Sequence, residues 1–92
     1  MVFLEQIREK LGLGLEELTG GVRALVFGDK GVHVEGHKGL AFMSEDEIVF
    51  YHKKGKIKIV GQGLKVRELS EFDGYVYGKI KGVFWGGKDG EF

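Results

Sequence analysis

The sequence has no cysteine, no proline and no net charge. Without cysteine there are no disulfides, no thiolate nucleophile and no Cys-ligated zinc. Lys+Arg and Asp+Glu both number 14, so no global field draws the chain to nucleic acid or to an acidic membrane. No apolar run approaches the ~20 residues of a membrane-spanning helix. Glu5, Arg8, Glu9 and Lys10 interrupt the one apolar stretch near the N-terminus, where a secretory signal would be apolar. The expectation is a cytoplasmic protein that stays where it is made.

Glycine, by contrast, is abundant, with 17 residues in 92. These glycines are spaced through valines, isoleucines and aromatics. That is the pattern of short strands separated by tight turns, and a flexible Gly-rich linker would lack the intervening apolar residues. The length suits one domain with a thin core.

Residues 2–11 form the one helix candidate, with Leu4, Ile7 and Leu11 on a single stripe and Gly12 and Gly14 as stops. So short a helix needs a surface to dock on. Residues 1–21 are therefore read as a helix and a bridge, 22–85 as a β domain, and 86–92 as a loose tail. Within the β domain, 22–27, 32–35, 40–43, 48–52, 56–60, 64–69 and 75–85 read as strands. Turns fall at 28–31, 36–39, 53–56 and 61–63. The fold class expected is all-β: a small β-sandwich or β-roll of about seven short strands, with one short N-terminal helix.

There is also a faint internal echo. Val32, Val34, Gly36, Gly39, Leu40 and Phe42 find counterparts in Ile57, Ile59, Gly61, Gly63, Leu64 and Val66. A serine before acids follows each copy, at Ser44 and Ser70. Stacked copies would make a short solenoid, but such arrays need at least three repeats. Recurring turn chemistry in hairpins explains the echo with less.

The chemistry-bearing residues are sparse. Thr19, Ser44 and Ser70 are the aliphatic hydroxyls, and none lies in a nucleophile elbow. Ser44 and Ser70 precede acids and read as turn or cap residues. His33, His37 and His52, with Glu35, are the residues a metal would have to gather. Imidazoles on the surface of a turn region are the commoner reading, and no metal motif supports the other. Gly12-Leu13-Gly14 and Gly61-Gln62-Gly63 lack the third glycine of a dinucleotide site, and there is no phosphate-binding loop. The expectation is a protein that is not an enzyme, takes no cofactor or metal, and has no small-molecule substrate.

The local feature that stands out is basic. Residues 53–67 hold Lys53, Lys54, Lys56, Lys58, Lys65 and Arg67, with no acid among them. Period-two alternation sets Lys56 and Lys58 opposite Ile57 and Ile59, and Lys65 and Arg67 opposite Leu64 and Val66. Two strands paired in register would line one face with four cations, a docking surface for an acidic partner, a phosphate-rich polymer or an anionic lipid head group. A solvated face guarded by lysines is the plainer reading, and the acids at 45–47 and 68–73 can balance much of this charge. Tyr75, Tyr77, Phe84 and Trp85 crowd the last strand. Phe84 and Trp85 should point to opposite faces, one of them toward the core. The docking candidates are Lys56, Lys58, Lys65 and Arg67, with Trp85 as an apolar contact. Basic strands carrying Tyr51, Tyr75 and Tyr77 for base stacking would also serve a small nucleic-acid-binding domain, which zero net charge disfavours.

Taken in order, these segments resemble a known family. A Gly36-His37-Lys38-Gly39-Leu40 turn follows Val32 and Val34, and Ser44-Glu45-Asp46-Glu47-Ile48 comes next. Gly55 through Val66 then alternates around Gly61 and Gly63, and Gly74-Tyr75-Val76-Tyr77-Gly78-Lys79-Ile80 closes. This order is similar to that of the YabP/YqfC family of sporulation proteins, and helix-then-strands suits its YqfC branch. The resemblance covers about two-thirds of the chain. It implies a non-enzymatic protein of the mother cell, acting in endospore cortex or coat formation. The implied partner is a protein, with a membrane-associated sporulation protein as the first candidate, and the implied location is cytoplasmic or peripheral at the forespore membrane. Residues 1–21 depart from the branch's basic N-termini, with only Arg8 and Lys10 against four glutamates. That argues against a lipid contact there. Homo-oligomerisation is open to a small β-domain with apolar edges.

Overall fold

A computed structural model describes residues 21–87. The helix expected over 2–11, most of the bridge after it and the end of the tail lie outside the described residues. Those described are all-β. Six strands form one antiparallel sheet: β1 (Arg23–Phe27), β2 (Gly31–Glu35), β3 (Leu40–Met43), β4 (Glu47–His52), β5 (Gly55–Arg67) and β6 (Asp73–Gly86). Their spatial order is β1-β2-β6-β5-β4-β3, which puts the two longest strands at the centre and β1 and β3 at the edges.

The first four strands lie close to where alternation and glycine turns put them. The strands expected at 56–60 and 64–69, however, are one strand of 13 residues. Gly61-Gln62-Gly63 is an irregularity inside β5, where its register against β6 shifts between Val60 and Gly61 and again between Gln62 and Lys65. A glycine pair marks a bulge as readily as a turn. Here the long partner β6 keeps both flanks hydrogen-bonded, so the chain bends without reversing. The count is accordingly six strands where about seven were expected. The tail also begins later than expected, since Gly86 still pairs with Lys56.

The bulge reverses the alternation. Before it, Ile57, Ile59 and Gly61 are buried; after it, Leu64 is buried and Val66 half-buried. Odd positions face inward on one side and even positions on the other, so the bent strand keeps a single buried face. At Gly61 a Cβ would run into the Lys79 carbonyl, so the close crossing of β5 and β6 depends on glycine there.

The buried face gathers Val22, Val32, Val34, Ile48, Phe50, Ile57, Ile59, Leu64, Val76 and Ile80 into one cluster. Full burial of such a side chain contributes about 1.5–3 kcal/mol each. Phe50 links the two halves of the sheet: a Cβ on Gly74 of β6 would lie 3.4 Å from its Cζ. The His37 ring packs against Phe50 with centroids 4.9 Å apart.

His37 is not a surface imidazole; it is 1% exposed. Its Nδ1 accepts a hydrogen bond from the Gly39 N–H at 3.0 Å, and its Nε2 donates to the Asp73 carbonyl at 3.0 Å. The neutral tautomer with the proton on Nε2 satisfies both ring nitrogens. The turn before it depends on Gly36, whose φ of +84° and contact with the Gly21 carbonyl exclude a side chain.

The internal echo does not become repeating units. Its first copy spans β2, a turn and β3, while its second lies wholly within β5. What repeats is turn chemistry. Ser44 Oγ accepts from the Glu47 N–H and Ser70 Oγ from the Asp73 N–H, each at 3.1 Å. Both serines thus serve their turns.

Candidate functional site

The outward face of the sheet carries the cations. Lys56 and Lys58 precede the bulge and Lys65 and Arg67 follow it. Strict alternation would put the second pair on the opposite face, and the parity change at 61–63 returns it to the first. The four are therefore on one side, as the sequence led us to expect, but along one bent strand and not across a pair.

Register gives each pair an aromatic neighbour, because residues directly opposite in a ladder point to the same face. Before the bulge, Lys58 sits between Val49 and Phe84, with Phe42 beyond Val49. Lys56 lies opposite Tyr51. The Lys56 ammonium stands 5.6 Å from the Tyr51 ring centre and that of Lys58 5.9 Å from Phe84. After the bulge, Lys65 lies opposite Tyr77 and Arg67 opposite Tyr75. The Arg67 guanidinium reaches diagonally to stand 4.9 Å from the Tyr77 ring. Tyr75 and Tyr77 are stacked at 6.5 Å, and Phe27 of β1 leans on Tyr75 at 6.2 Å. The Tyr75 ring lies over Gly31, where any Cβ would meet its hydroxyl. Gly31 thus leaves the space that lets this ring lie along the sheet.

Part of this face is open to solvent. Phe27, Phe42, Tyr51 and Phe84 are about half exposed. Lys56, Lys65 and Arg67 form no ion pair with a carboxylate among the described residues; the pairs there include Arg23–Glu35 and Lys30–Asp29. The expected internal neutralisation by residues 45–47 and 68–73 thus does not reach these three. Cations over exposed rings contribute about 0.5–1 kcal/mol each and present charge and apolar area together. A shallow cleft of about 310 Å³, lined in part by Phe27, Tyr75, Glu68 and Asp73, borders the second group.

Trp85 stands apart from the cations. It lies opposite Ile57, on the core side of the sheet, and meets the His52 ring edge-on at 5.7 Å. Phe84 and Trp85 do point to opposite faces, yet neither is core: they are 47% and 49% exposed. His52 Nε2 is buried with no hydrogen-bond partner among the described residues, and Nδ1 accepts from the Lys54 N–H at 3.2 Å. Burial pushes the His52 imidazole below its ordinary value, partly offset by backbone hydrogen bonding at Lys56. His33 lies beside Glu35 at 3.4 Å. The three histidines thus have separate surroundings, and among the described residues no group of three or more His, Cys, Asp and Glu could hold a metal.

Sequence reasoning named the cations but missed Phe27, Phe42 and Val49 as their companions. Those three come from other strands, and only strand order and register bring them to the site. No model of a protein family, no curated protein and no solved structure matches this chain.

Proposed function

We propose that this chain is a small β-roll of the endospore-forming programme, a non-enzymatic structural or adaptor module that binds a protein partner through its outward face. The observation that carries the docking reading is the set of cations seated on rings of the outward face: Lys56 on Tyr51, Lys58 on Phe84 and Arg67 on Tyr77. Aromatic and arginine side chains are the enriched anchors of protein interfaces. Their positive charge fits an acidic partner segment. The sporulation reading rests on the resemblance to the YabP/YqfC family. The module acts in the mother cell, on a membrane-associated partner.

The test is a fluorescent fusion followed through spore formation in the native host, paired with partner capture. Signal confined to the mother cell around the developing spore is the expected outcome, and diffuse signal in vegetative cells would remove the sporulation role. Replacing Lys56, Lys58, Lys65 and Arg67 together by Glu should abolish capture while the fold persists. Retained capture would clear this face of the docking role.

A second reading has its own observation. The stacked Tyr75–Tyr77 pair, flanked by Phe27 and Arg67, is a flat platform of the kind on which unpaired bases stack. It calls for oligonucleotide binding that weakens steeply with salt and is lost in Tyr77→Ala.

A further inference from the structure

We infer that the cleft beside Tyr75 is a recognition site for a guanidinium group, an arginine side chain presented by another protein. The outward face seats its own cations on rings: Lys56 on Tyr51, Lys58 on Phe84 and Arg67 on Tyr77. Phe27 and Tyr75 are the exception. Their rings meet at a tilt of 51° with centres 6.2 Å apart, and Phe27 is half exposed. No described lysine or arginine stands over either ring. What borders this pair is negative. The cleft of about 310 Å³ includes His33, Glu68, Ser70 and Asp73 in its lining, with no lysine or arginine there.

Asp73 lies two residues before Tyr75 and so shares its face of β6. Strict alternation after Arg67 would send Glu68 to the core side. Glu68 instead takes a φ of +55°, the one described non-glycine residue in the left-handed region, and lines the cleft. Neither carboxylate has an ion pair among the described residues. The nearby Arg23 is already committed to Glu35, and His33 stands beside that same carboxylate. Ring faces and unpaired carboxylates attract the same ligand, a cation, and together they select its shape. A guanidinium is planar and weakly hydrated, so it stacks on a ring while its N–H fork bonds a carboxylate. Arg67 makes the stacking half of that contact on the next ring, 4.9 Å from Tyr77, which lies only 15° from parallel to Tyr75. An anionic group would be repelled by Glu68 and Asp73. The inference rests neither on the sporulation reading nor on the four-cation docking surface, since this cleft takes charge of the opposite sign.

The experiment is an NMR titration of the full chain with arginine acetylated and amidated at its backbone, and with the same derivative of citrulline, its neutral isostere. The expected result is saturable movement of the Phe27 and Tyr75 ring signals in the millimolar range, with citrulline weaker by roughly tenfold or more. Glu68→Gln combined with Asp73→Asn changes two exposed side chains and should weaken arginine by a similar factor, while the amide spectrum reports that the fold persists. Phe27→Leu should weaken it by about threefold or more as one ring is lost. Arg67→Gln, outside the cleft, should leave it unchanged. Ring signals that stay still overturn the inference, as does citrulline binding equal to arginine. So does undiminished binding in the carboxylate variant. Binding of free arginine alone, which needs its backbone charges, would also overturn it, because the cleft would then take a metabolite and not a protein side chain.

Discussion

The two halves of β5 solve the same problem with different groups. Before the bulge, lysines stand over rings from two separate strands, Tyr51 of β4 and Phe84 of β6. After it, an arginine lies closer, 4.9 Å from Tyr77, within a stack supplied mostly by β6. The difference follows from what each cation is. A planar guanidinium stacks on a ring already held by its neighbour, while an ammonium is a strongly hydrated point charge that stays farther out. The same alternating sequence thus gives a dispersed apolar face on one side of the bend and a compact aromatic platform on the other.

The harshest way to break this comparison is to separate the halves. Phe50→Ala opens a cavity where β4 meets Gly74 and His37, and a loss of about 3–5 kcal/mol is expected in denaturant unfolding. Phe84→Ala, the same deletion at a half-exposed site, should cost a small fraction of that. Equal losses would mean that the two halves do not share a core. Gly61→Ala forces a methyl into the Lys79 carbonyl, and about 1–3 kcal/mol should be lost as the crossing of β5 and β6 is pushed apart. A neutral result would show that the bend tolerates a side chain.

Smaller changes sharpen the contrast. Arg67→Lys should cost about 0.5 kcal/mol or less while lowering Tyr77-dependent binding, since the stacked plane is lost and the charge kept. The matching Lys58→Arg should leave stability nearly unchanged. Binding that depends on charge alone would leave both variants equal to the native chain. The smallest effect is a pH dependence. His52 resists protonation when folded, so the unfolded chain binds the extra proton and stability falls as pH drops through the ordinary histidine value of about 6.5. It should be fully present above that value. His52→Gln should flatten this part of the stability–pH curve, and an unchanged slope would assign it to other groups.

Much of this architecture was legible from local chemistry. Val32 and Val34 alternate with His33 and Glu35 in the sequence and do so in β2. Ser44 and Ser70 read as turn residues, and each binds the backbone N–H three residues on. Gly61 and Gly63 were misread because a turn and a bulge call for the same residue, and β6 alone distinguishes them. His37 was misread because a histidine among glycines is normally wet. Its burial depends on a carbonyl 36 residues away, which no local pattern indicates. The cations of β5 were visible as a run of charge, whereas their aromatic companions were scattered over the sequence.

The sequence by itself determined that this chain is all-β over its described part, where most strands lie, and which side of β2 and of each half of β5 is apolar. Side-chain alternation and glycine φ preference are local, and a few neighbouring residues suffice to express them. Tertiary structure alone decided that β5 bends without turning back, that Lys65 and Arg67 share a face with Lys56 and Lys58, that Trp85 does not, and that β3 is left at an edge. Each of these depends on which strand lies beside which and in what register. That choice is made by burying the apolar faces of the whole sheet at once, and it is not a property of any one segment.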